Sequence, residues 1–200
     1  LICELIGETP LLFPVIWGLW VYHLVRSELE VAVSYSEQML RLAEISKESG
    51  MFLEGHFTFA NTLFWLGRFD EAKSHLDEAF SLYNPVAHQS HWLLYGQDAG
   101  VSTLCYSAYT YWALGYPEKA YDFANRAHEL ATEIKHPFSI GWALAFGCSL
   151  RNWNRDYGSA KTMSDECRDY CSQQGQAFWL SASIASGGIL SVCGTMLKDI

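Results

Sequence analysis

Basic side chains are scarce in this 200-residue sequence. Its 13 lysines and arginines stand against 22 aspartates and glutamates, which gives a formal net charge of −9. Nucleic-acid phosphates and anionic membrane surfaces are bound chiefly through lysine and arginine. No stretch of the sequence gathers its basic residues into a stripe. The composition therefore argues against a partner of either kind.

Long hydrophobic runs are also missing. Residues 11–25 are apolar, but these 15 residues fall short of the roughly 20 that a membrane span needs. Residues 177–197 are long enough and carry no charge, yet four serines, a threonine and three glycines dilute their hydrophobicity. We expect a buried helix at 177–197 and no contact with a membrane.

The sequence also lacks the motifs that hold phosphates, metals or catalytic nucleophiles. It contains no GxxxxGK[ST], GxGxxG, HExxH or GxSxG pattern. The six cysteines are scattered and include no CxxC pair, which fits reduced thiols in the cytoplasm. These absences predict a chain that is not an enzyme and needs no cofactor.

Two small groups of polar residues have the composition of a metal or redox site. His88 and His91 lie in a long predicted loop close to Asp98, and Cys167 and Cys171 share one face of a predicted helix. Only two imidazoles lie close in sequence, and the two thiols have no further ligand nearby. We therefore expect hydrogen-bonded loop histidines, packed thiols and no metal site.

What the sequence does contain is a short pattern that recurs four times and ends in alanine. The four alanines are Ala32, Ala72, Ala120 and Ala160, at intervals of 40, 48 and 40 residues. A period of this size is typical of stacked repeats. A repeat array favours a binding surface over a catalytic centre.

The apolar residues follow a helical period nearly throughout, and no strand alternation or hairpin signal occurs. Glycines, prolines and polar clusters divide the chain into nine predicted helices, at 9–25, 28–46, 51–66, 69–83, 97–114, 117–134, 137–153, 156–173 and 176–197. They form four antiparallel pairs, over 9–46, 51–83, 97–134 and 137–173, and the first helix of a fifth. We interpret residues 1–200 as a single array within a larger protein.

The two helices of each predicted pair differ in polarity. The second helices, such as 117–134, alternate apolar and charged residues at helical spacing. The first helices carry almost no charge, and 9–25 carries none. Helices this apolar must pack on several sides, as the inner row of a solenoid does.

Two of the predicted turns carry a recognisable motif. Residues 66–72 (LGRFDEA) and 114–120 (LGYPEKA) resemble the central turn of tetratricopeptide (TPR) repeats. The resemblance implies an all-α, TPR-like α-solenoid, a right-handed superhelix of antiparallel helix pairs. The spacing of the alanines and of the predicted helices gives about 4.5 repeats with a period of 40–48 residues, which is longer than the roughly 34 residues usual for TPR repeats. HEAT-type repeats have a similar length, but the Leu-Gly and Asp-Glu-Ala signatures favour TPR repeats. The small residues at the repeat positions are Ala60, Gly67, Ala72, Ala79, Ala108, Gly115, Ala120, Ala127 and Ala160.

A closer resemblance covers nearly the whole chain. Segments 7–20, 94–101 and 136–139 are similar to the C-terminal repeat region of large bacterial signalling proteins. Those proteins join a class III adenylate/guanylate cyclase domain to a STAND-type ATPase and then to TPR repeats. The resemblance implies a sensor or regulatory arm, without either catalytic activity in this chain.

The family resemblance also implies that the first helices line a concave surface. The groove residues expected on this basis are Phe57, Asn61, Phe64, Trp65, Tyr106, Tyr109, Trp112, Ser149, Asn152 and Trp153. The first helices contain no lysine, so we expect a neutral or apolar segment, of another protein or of the same polypeptide, and no carboxylate-terminated peptide. A small-molecule effector is the alternative ligand. The loop at 84–96 is the other place where functional residues are expected.

Overall fold

The computed structural model describes residues 12–196, and the side chains up to residue 186. Within this part the chain forms ten α-helices and no strand. They are α1 (Phe13–Val25), α2 (Leu29–Ser46), α3 (Ser49–Trp65), α4 (Phe69–Leu82), α5 (His91–Tyr95), α6 (Ala99–Ala113), α7 (Pro117–Ile134), α8 (Pro137–Trp153), α9 (Tyr157–Gln173) and α10 (Ala177–Met196). All nine predicted helices are present, and their ends agree within two residues wherever both ends are described.

The turn inside each helix pair has the same backbone geometry in all four pairs. One residue in each turn has a positive φ: Ser27 (60°), Gly67 (76°), Gly115 (87°) and Arg155 (59°). The next N–H donates to the carbonyl five residues earlier, at 2.8–3.0 Å, which is the closing bond of a Schellman motif. The repeat is therefore conserved in geometry along the chain even where glycine is replaced.

The alanines at the repeat positions lie in the core. Ala32, Ala72, Ala120 and Ala160 are each completely buried. Ala108 packs with Ala120 in one cluster of buried residues, where α6 meets α7. A methyl group at these points lets the two helices of a pair approach closely.

The helices form two rows. The inner row comprises α1, α3, α6, α8 and α10, and each of its members contacts the next. The outer row comprises α2, α4, α7 and α9, each packed against the inner helix before it and the one after it. One continuous cluster of buried apolar residues runs between the rows. This is the architecture of an α-solenoid.

The interval of 48 residues has a structural cause. The other connections between successive pairs are two or three residues long, whereas α4 and α6 are joined by residues 83–98, here called the insert. The insert contains α5, which was predicted as loop, and it packs on α1. A helix of five residues completes too few turns to show a helical period in the sequence.

Helix α10 is only partly buried over residues 177–186, the part of it whose side chains are described. Trp179 and Ser183 are buried, while Phe178 and Ile184 are exposed. Thus α10 buries one face against α8 and α9, so the helix that was expected to be buried is covered on this face only, up to residue 186. Among the residues described, no helix has the length and hydropathy needed to cross a membrane.

Candidate binding groove

A cavity of about 610 Å³ opens on the inner row. All five inner helices and the insert contribute to it. Its lining residues are Trp17, Trp20, Val21, Leu24, Asn61, Trp65, Tyr95, Gly96, Gln97, Tyr106, Phe138, Trp142, Phe146, Phe178 and Trp179. We call this cavity the groove. None of these residues is charged, and most are aromatic.

Three of the sequence-predicted residues line the groove, namely Asn61, Trp65 and Tyr106. Trp65 is 52% exposed, and its Nε1 donates to the Tyr106 hydroxyl at 3.2 Å. Burial raises the pKa of Tyr106 to about 12, although hydrogen bonds from Trp65 and Asn61 oppose the shift. Tyr106 therefore remains an uncharged phenol at neutral pH.

Three other predicted residues form the layer beneath the groove. Phe57 is completely buried, with its ring edge-on to Trp20 and Tyr106. Tyr109 is buried as well, and its ring stacks on Phe146 at a centroid distance of 4.2 Å. Phe64 packs against Tyr106 and Tyr109. These rings support the groove lining and do not line it.

The remaining predicted residues lie toward the C-terminal ends of α6 and α8, away from the groove lining. The rings of Trp112 and Trp153 are 4.9 Å apart. Trp112 donates through Nε1 to the Asn154 side chain at 3.2 Å. Ser149 donates to the backbone carbonyl of its own helix four residues earlier, at 3.0 Å. The Asn152 Nδ2 lies 3.9 Å from a cysteine Sγ.

The insert forms one end of the groove through Tyr95, Gly96 and Gln97. The Tyr95 ring packs on Phe13 and Trp17, at centroid distances of 6.3 and 5.2 Å. Gly96 ends α5 with a φ of 71°. The aromatic side chains of α1 thus hold the insert in a position where it completes the groove.

A buried carboxylate anchors the insert. Glu54 on α3 is completely buried, yet it pairs with His91 Nδ1 of α5 at 2.8 Å and accepts a hydrogen bond from Trp17 Nε1 at 3.2 Å. Burial raises the pKa of Glu54, and the hydrogen bonds from His91 and Trp17 oppose that shift. Glu54 therefore ties together α1, α3 and the insert, the three elements at one end of the groove.

Several polar atoms around the groove lack hydrogen-bond partners. Within the described residues, seven buried side-chain nitrogen or oxygen atoms have no partner. Four of them belong to groove residues: Asn61 Oδ1, Gln97 Nε2, Trp142 Nε1 and Trp179 Nε1. Because buried polar atoms in folded proteins are nearly always paired, this concentration distinguishes the groove from the rest of the core.

Solved structures share the arrangement of these helices. Two crystal structures of nearly identical TPR-like repeats from a Podosopora anserina kinesin light chain match the chain. One, a point variant, is 15% identical with a TM-score of 0.57 and covers 86% of this chain and 80% of that chain. The other is 14% identical with a TM-score of 0.60, and covers 96% and 94%. The fold is a TPR-like α-solenoid. No protein-family model and no curated protein matches the sequence.

Most residues that line the groove on α1, α8 and α10 were not predicted from the sequence. On α1 the missed residues Trp17, Trp20, Val21 and Leu24 have the spacing i, i+3, i+4 and i+7, which marks a single helix face. A similar spacing (i, i+4, i+8) relates the missed residues Phe138, Trp142 and Phe146 on α8, whereas the two missed residues of α10, Phe178 and Trp179, are adjacent and give no such signal. Aromatic stripes on α1 and α8 could therefore have indicated which face of each helix is turned toward the groove.

The histidines of the insert do not form a joint site with Asp98. His88 Nδ1 accepts from the Asn84 N–H at 3.1 Å, while His91 pairs with Glu54 at 2.8 Å. Asp98 caps α6 by accepting from a backbone N–H at 2.9 Å. Throughout the described residues, no three or more histidine, cysteine or acidic side chains are grouped so as to hold a metal ion.

Cys167 and Cys171 are buried free thiols whose sulfur atoms lie 3.8 Å apart. Burial raises the pKa of both thiols. The uncharged thiol is the unreactive form. Their contacts in the TPR-like core are those of small packed side chains.

Proposed function

We propose that this TPR-like solenoid is a protein-interaction scaffold that binds a protein segment in its groove. The observation that carries the proposal is the composition and position of the groove. All five inner helices supply apolar, mostly aromatic side chains to one concave site, and no charged residue lines it. Aromatic side chains with few rotamers bury large areas at a low entropic cost, which is why they dominate binding surfaces.

A charge placed in the groove tests this proposal. Phe178 lines the groove and is 67% exposed, so Phe178→Arg should leave the fold intact. Tyr116→Arg is the matched control, because Tyr116 is an exposed aromatic residue outside the groove. Partners are captured from the native source and cross-linked, and their contact sites are mapped. We expect a partner cross-linked beside the groove and lost with Phe178→Arg alone. Loss with both variants, or cross-links confined to the outer row, would contradict the proposal.

We further propose a regulatory role within a larger cytoplasmic signalling protein that contains ATPase and nucleotide cyclase domains. This proposal rests on the resemblance of segments 7–20, 94–101 and 136–139. In it the bound segment belongs to the same polypeptide, and the chain itself has no catalytic activity. The coding sequence upstream should then contain a GxxxxGK[ST] motif preceded by a cyclase domain. If both are present, deleting residues 1–200 should change the ATPase or cyclase activity of the full protein.

The size of the groove favours a second candidate function, the binding of a small-molecule effector. Its volume of about 610 Å³ lies within the range of roughly 300–1,000 Å³ typical of small-molecule sites. A metabolite screen by thermal shift tests this candidate. A ligand present at 100 times its Kd should add about 2.7 kcal/mol to the free energy of unfolding. If a compound gives the same thermal shift with Phe178→Arg as with the unmodified protein, it does not bind in the groove.

A further inference from the structure

Two histidines from the paired helices α3 and α4 face each other outside the groove. His56 lies on α3 and His75 on α4, and their Nδ1 atoms are 2.8 Å apart. Both residues are partly buried, and neither lines the groove. They are 19 residues apart in the sequence, so no spacing motif indicates the pair and only the fold brings the two rings together.

The hydrogen bond between the rings of His56 and His75 leaves both imidazoles able to bind a metal ion. One Nδ1 carries a proton and the other accepts it. Burial lowers the pKa of both histidines, so the rings are uncharged at neutral pH. The nitrogen of a neutral imidazole is the commonest metal ligand in proteins.

The charges around the pair favour a cation. Glu78 acts on both imidazoles and Glu71 acts on His75, whereas no lysine or arginine acts on either ring. Glu71 is bound to an arginine through two hydrogen bonds, at 2.6 and 2.7 Å. Among the described residues Glu78 has no ion-pair partner, and it lies three residues after His75, on the same face of α4. An ion bound by the two imidazoles is therefore attracted by an unpaired carboxylate.

The distance between the two nitrogens indicates the class of metal. An imidazole nitrogen lies about 2.0–2.1 Å from a bound transition metal. Two such nitrogens at 90° about the metal are about 2.8–3.0 Å apart, whereas two at the tetrahedral angle are about 3.3–3.4 Å apart. The observed separation of 2.8 Å agrees with the first geometry. Square-planar or tetragonal sites with nitrogen and oxygen ligands are typical of Cu²⁺ and Ni²⁺.

We propose that His56 and His75 bind one Cu²⁺ or Ni²⁺ ion that bridges α3 and α4, with water molecules as its other ligands. Each ring turns about its Cβ–Cγ bond so that the two Nδ1 lone pairs converge on the ion. The ring that carried the Nδ1 proton takes the Nε2–H form, so no proton is released. Structural metal sites have four protein ligands, so this ion binds reversibly and clips the two helices together.

The first experiment locates the ion in the unmodified 200-residue chain. Ni²⁺ is the probe because the free thiols of the chain reduce Cu²⁺. Isothermal titration calorimetry should show one Ni²⁺ per chain, and the paramagnetic ion should broaden the amide NMR signals closest to His56 and His75. Absence of binding would overturn the proposal. Broadening centred on His88 and His91, whose rings are 4.9 Å apart, would overturn it as well.

A titration with Mg²⁺ separates coordination by imidazole from attraction to an acidic protein. Mg²⁺ takes oxygen ligands but carries the same charge as Ni²⁺. We expect no Mg²⁺ binding at the pair and no competition with Ni²⁺. Displacement of Ni²⁺ by an equal concentration of Mg²⁺ would show that carboxylates hold the ion, and would overturn the proposal.

The second experiment removes the ligands one at a time. His56→Asn and His75→Asn should each weaken Ni²⁺ binding by at least about tenfold, because even residues that only support a metal ligand contribute about 10–100-fold. Glu78→Gln keeps both ligands and should weaken binding by a smaller factor. His128→Asn is the matched control, because His128 belongs to α7 and does not act on the pair.

Thermal unfolding gives a second readout of the same variants. Because the ion binds the folded pair, Ni²⁺ should raise the Tm of the unmodified chain and of His128→Asn. The rise should be absent from His56→Asn and His75→Asn, and far-UV circular dichroism checks that both are folded. Unchanged Ni²⁺ affinity in these two variants, or an equal loss in His128→Asn, would overturn the proposal.

Discussion

At the scale of single residues, Arg155 occupies a backbone conformation that favours glycine. Its φ is 59°, and a left-handed conformation costs a residue with a Cβ roughly 1–2 kcal/mol. Glycine avoids this cost but gives the unfolded chain more freedom. Arg155→Gly should therefore raise the free energy of unfolding by about 0.5–1 kcal/mol, measured by urea denaturation. Arg155→Ala is the control and should not stabilise, because alanine retains the Cβ. Equal stabilisation by both would point to the loss of the arginine side chain instead.

A second prediction at this scale concerns the imidazole pair of His56 and His75, whose Nδ1 atoms lie 2.8 Å apart. Burial lowers the pKa of both histidines below the ordinary value of about 6.5, although Glu78 opposes the shift at each and Glu71 opposes it at His75. The unfolded chain then binds more protons below pH 6.5. Stability from this pair is present above that pH and is lost as the pH falls through the lower folded-state pKa values.

The double variant His56→Asn/His75→Asn checks this prediction. Urea unfolding is followed between about pH 7.5 and pH 5, a range that includes the ordinary histidine pKa of about 6.5 and values below it. The wild-type chain should lose stability faster than the double variant as the pH falls. If the two slopes are the same, the pair does not contribute to the acid sensitivity.

At the scale of helices, the buried alanines limit how closely paired helices can approach. Ala120 is completely buried between α6 and α7. Ala120→Trp should overpack this contact and destabilise the protein by about 1–3 kcal/mol or more. A far-UV circular dichroism melt measures the change, with Glu118→Trp as the control because Glu118 is exposed on the same helix. An unshifted melt for Ala120→Trp would contradict the close-contact role of this alanine.

One buried pair helps to hold the insert in position, together with the packing of Tyr95 on α1. Removing His91 leaves the completely buried Glu54 with only the hydrogen bond from Trp17, and breaking a buried pair typically costs about 3–5 kcal/mol. His91→Ala should lower stability by about 3 kcal/mol, near the low end because the carboxyl group can take up a proton. Hydrogen exchange should accelerate in residues 83–98 more than elsewhere. Gln89→Ala changes an exposed residue of the same insert, so it should neither lower stability nor accelerate hydrogen exchange in residues 83–98.

These elements show what could be predicted from the sequence. The long helices and their rows were predictable, because the apolar period and the unequal charge of the two helices follow from burial. Helix α5 was not, because a helix this short shows no period. The turn at Arg155 was predicted between helices 137–153 and 156–173, but its left-handed residue was not, because no glycine marks that position.

For the groove, the correct helices were predictable but not the correct positions along them. Asn61, Trp65 and Tyr106 were identified, while Ser149 and Trp153 lie farther along α8 than the part that lines the groove. That position depends on how far each helix pair is offset from the next, and on the insert, which closes one end through Gln97. Neither is encoded in the spacing within a single helix. The hydrogen-bond capacity of the groove became visible only when the partners of each buried atom could be counted.

At the scale of the whole molecule, the groove is a collective property of the array. In a solenoid each repeat contacts mainly its neighbours, so most local features need only one or two repeats. The groove is different, because its lining extends from Trp17 on α1 to Trp179 on α10. A change in the stacking of any pair therefore alters the separation of its walls, and the array as a whole sets the shape of the site.

The absence of charge in the groove affects the rate at which partners associate with the protein. The protein carries a formal net charge of −9, yet the site itself presents none. Long-range repulsion slows the approach of acidic partners and weakens as salt is added, whereas contacts inside the groove are not screened. The association rate of a neutral segment, measured by stopped-flow fluorescence, should change less than about twofold between 50 and 500 mM NaCl. The association rate of an acidic partner should rise with salt. Ionic strength would therefore change how fast acidic partners bind and leave their dissociation rate unchanged.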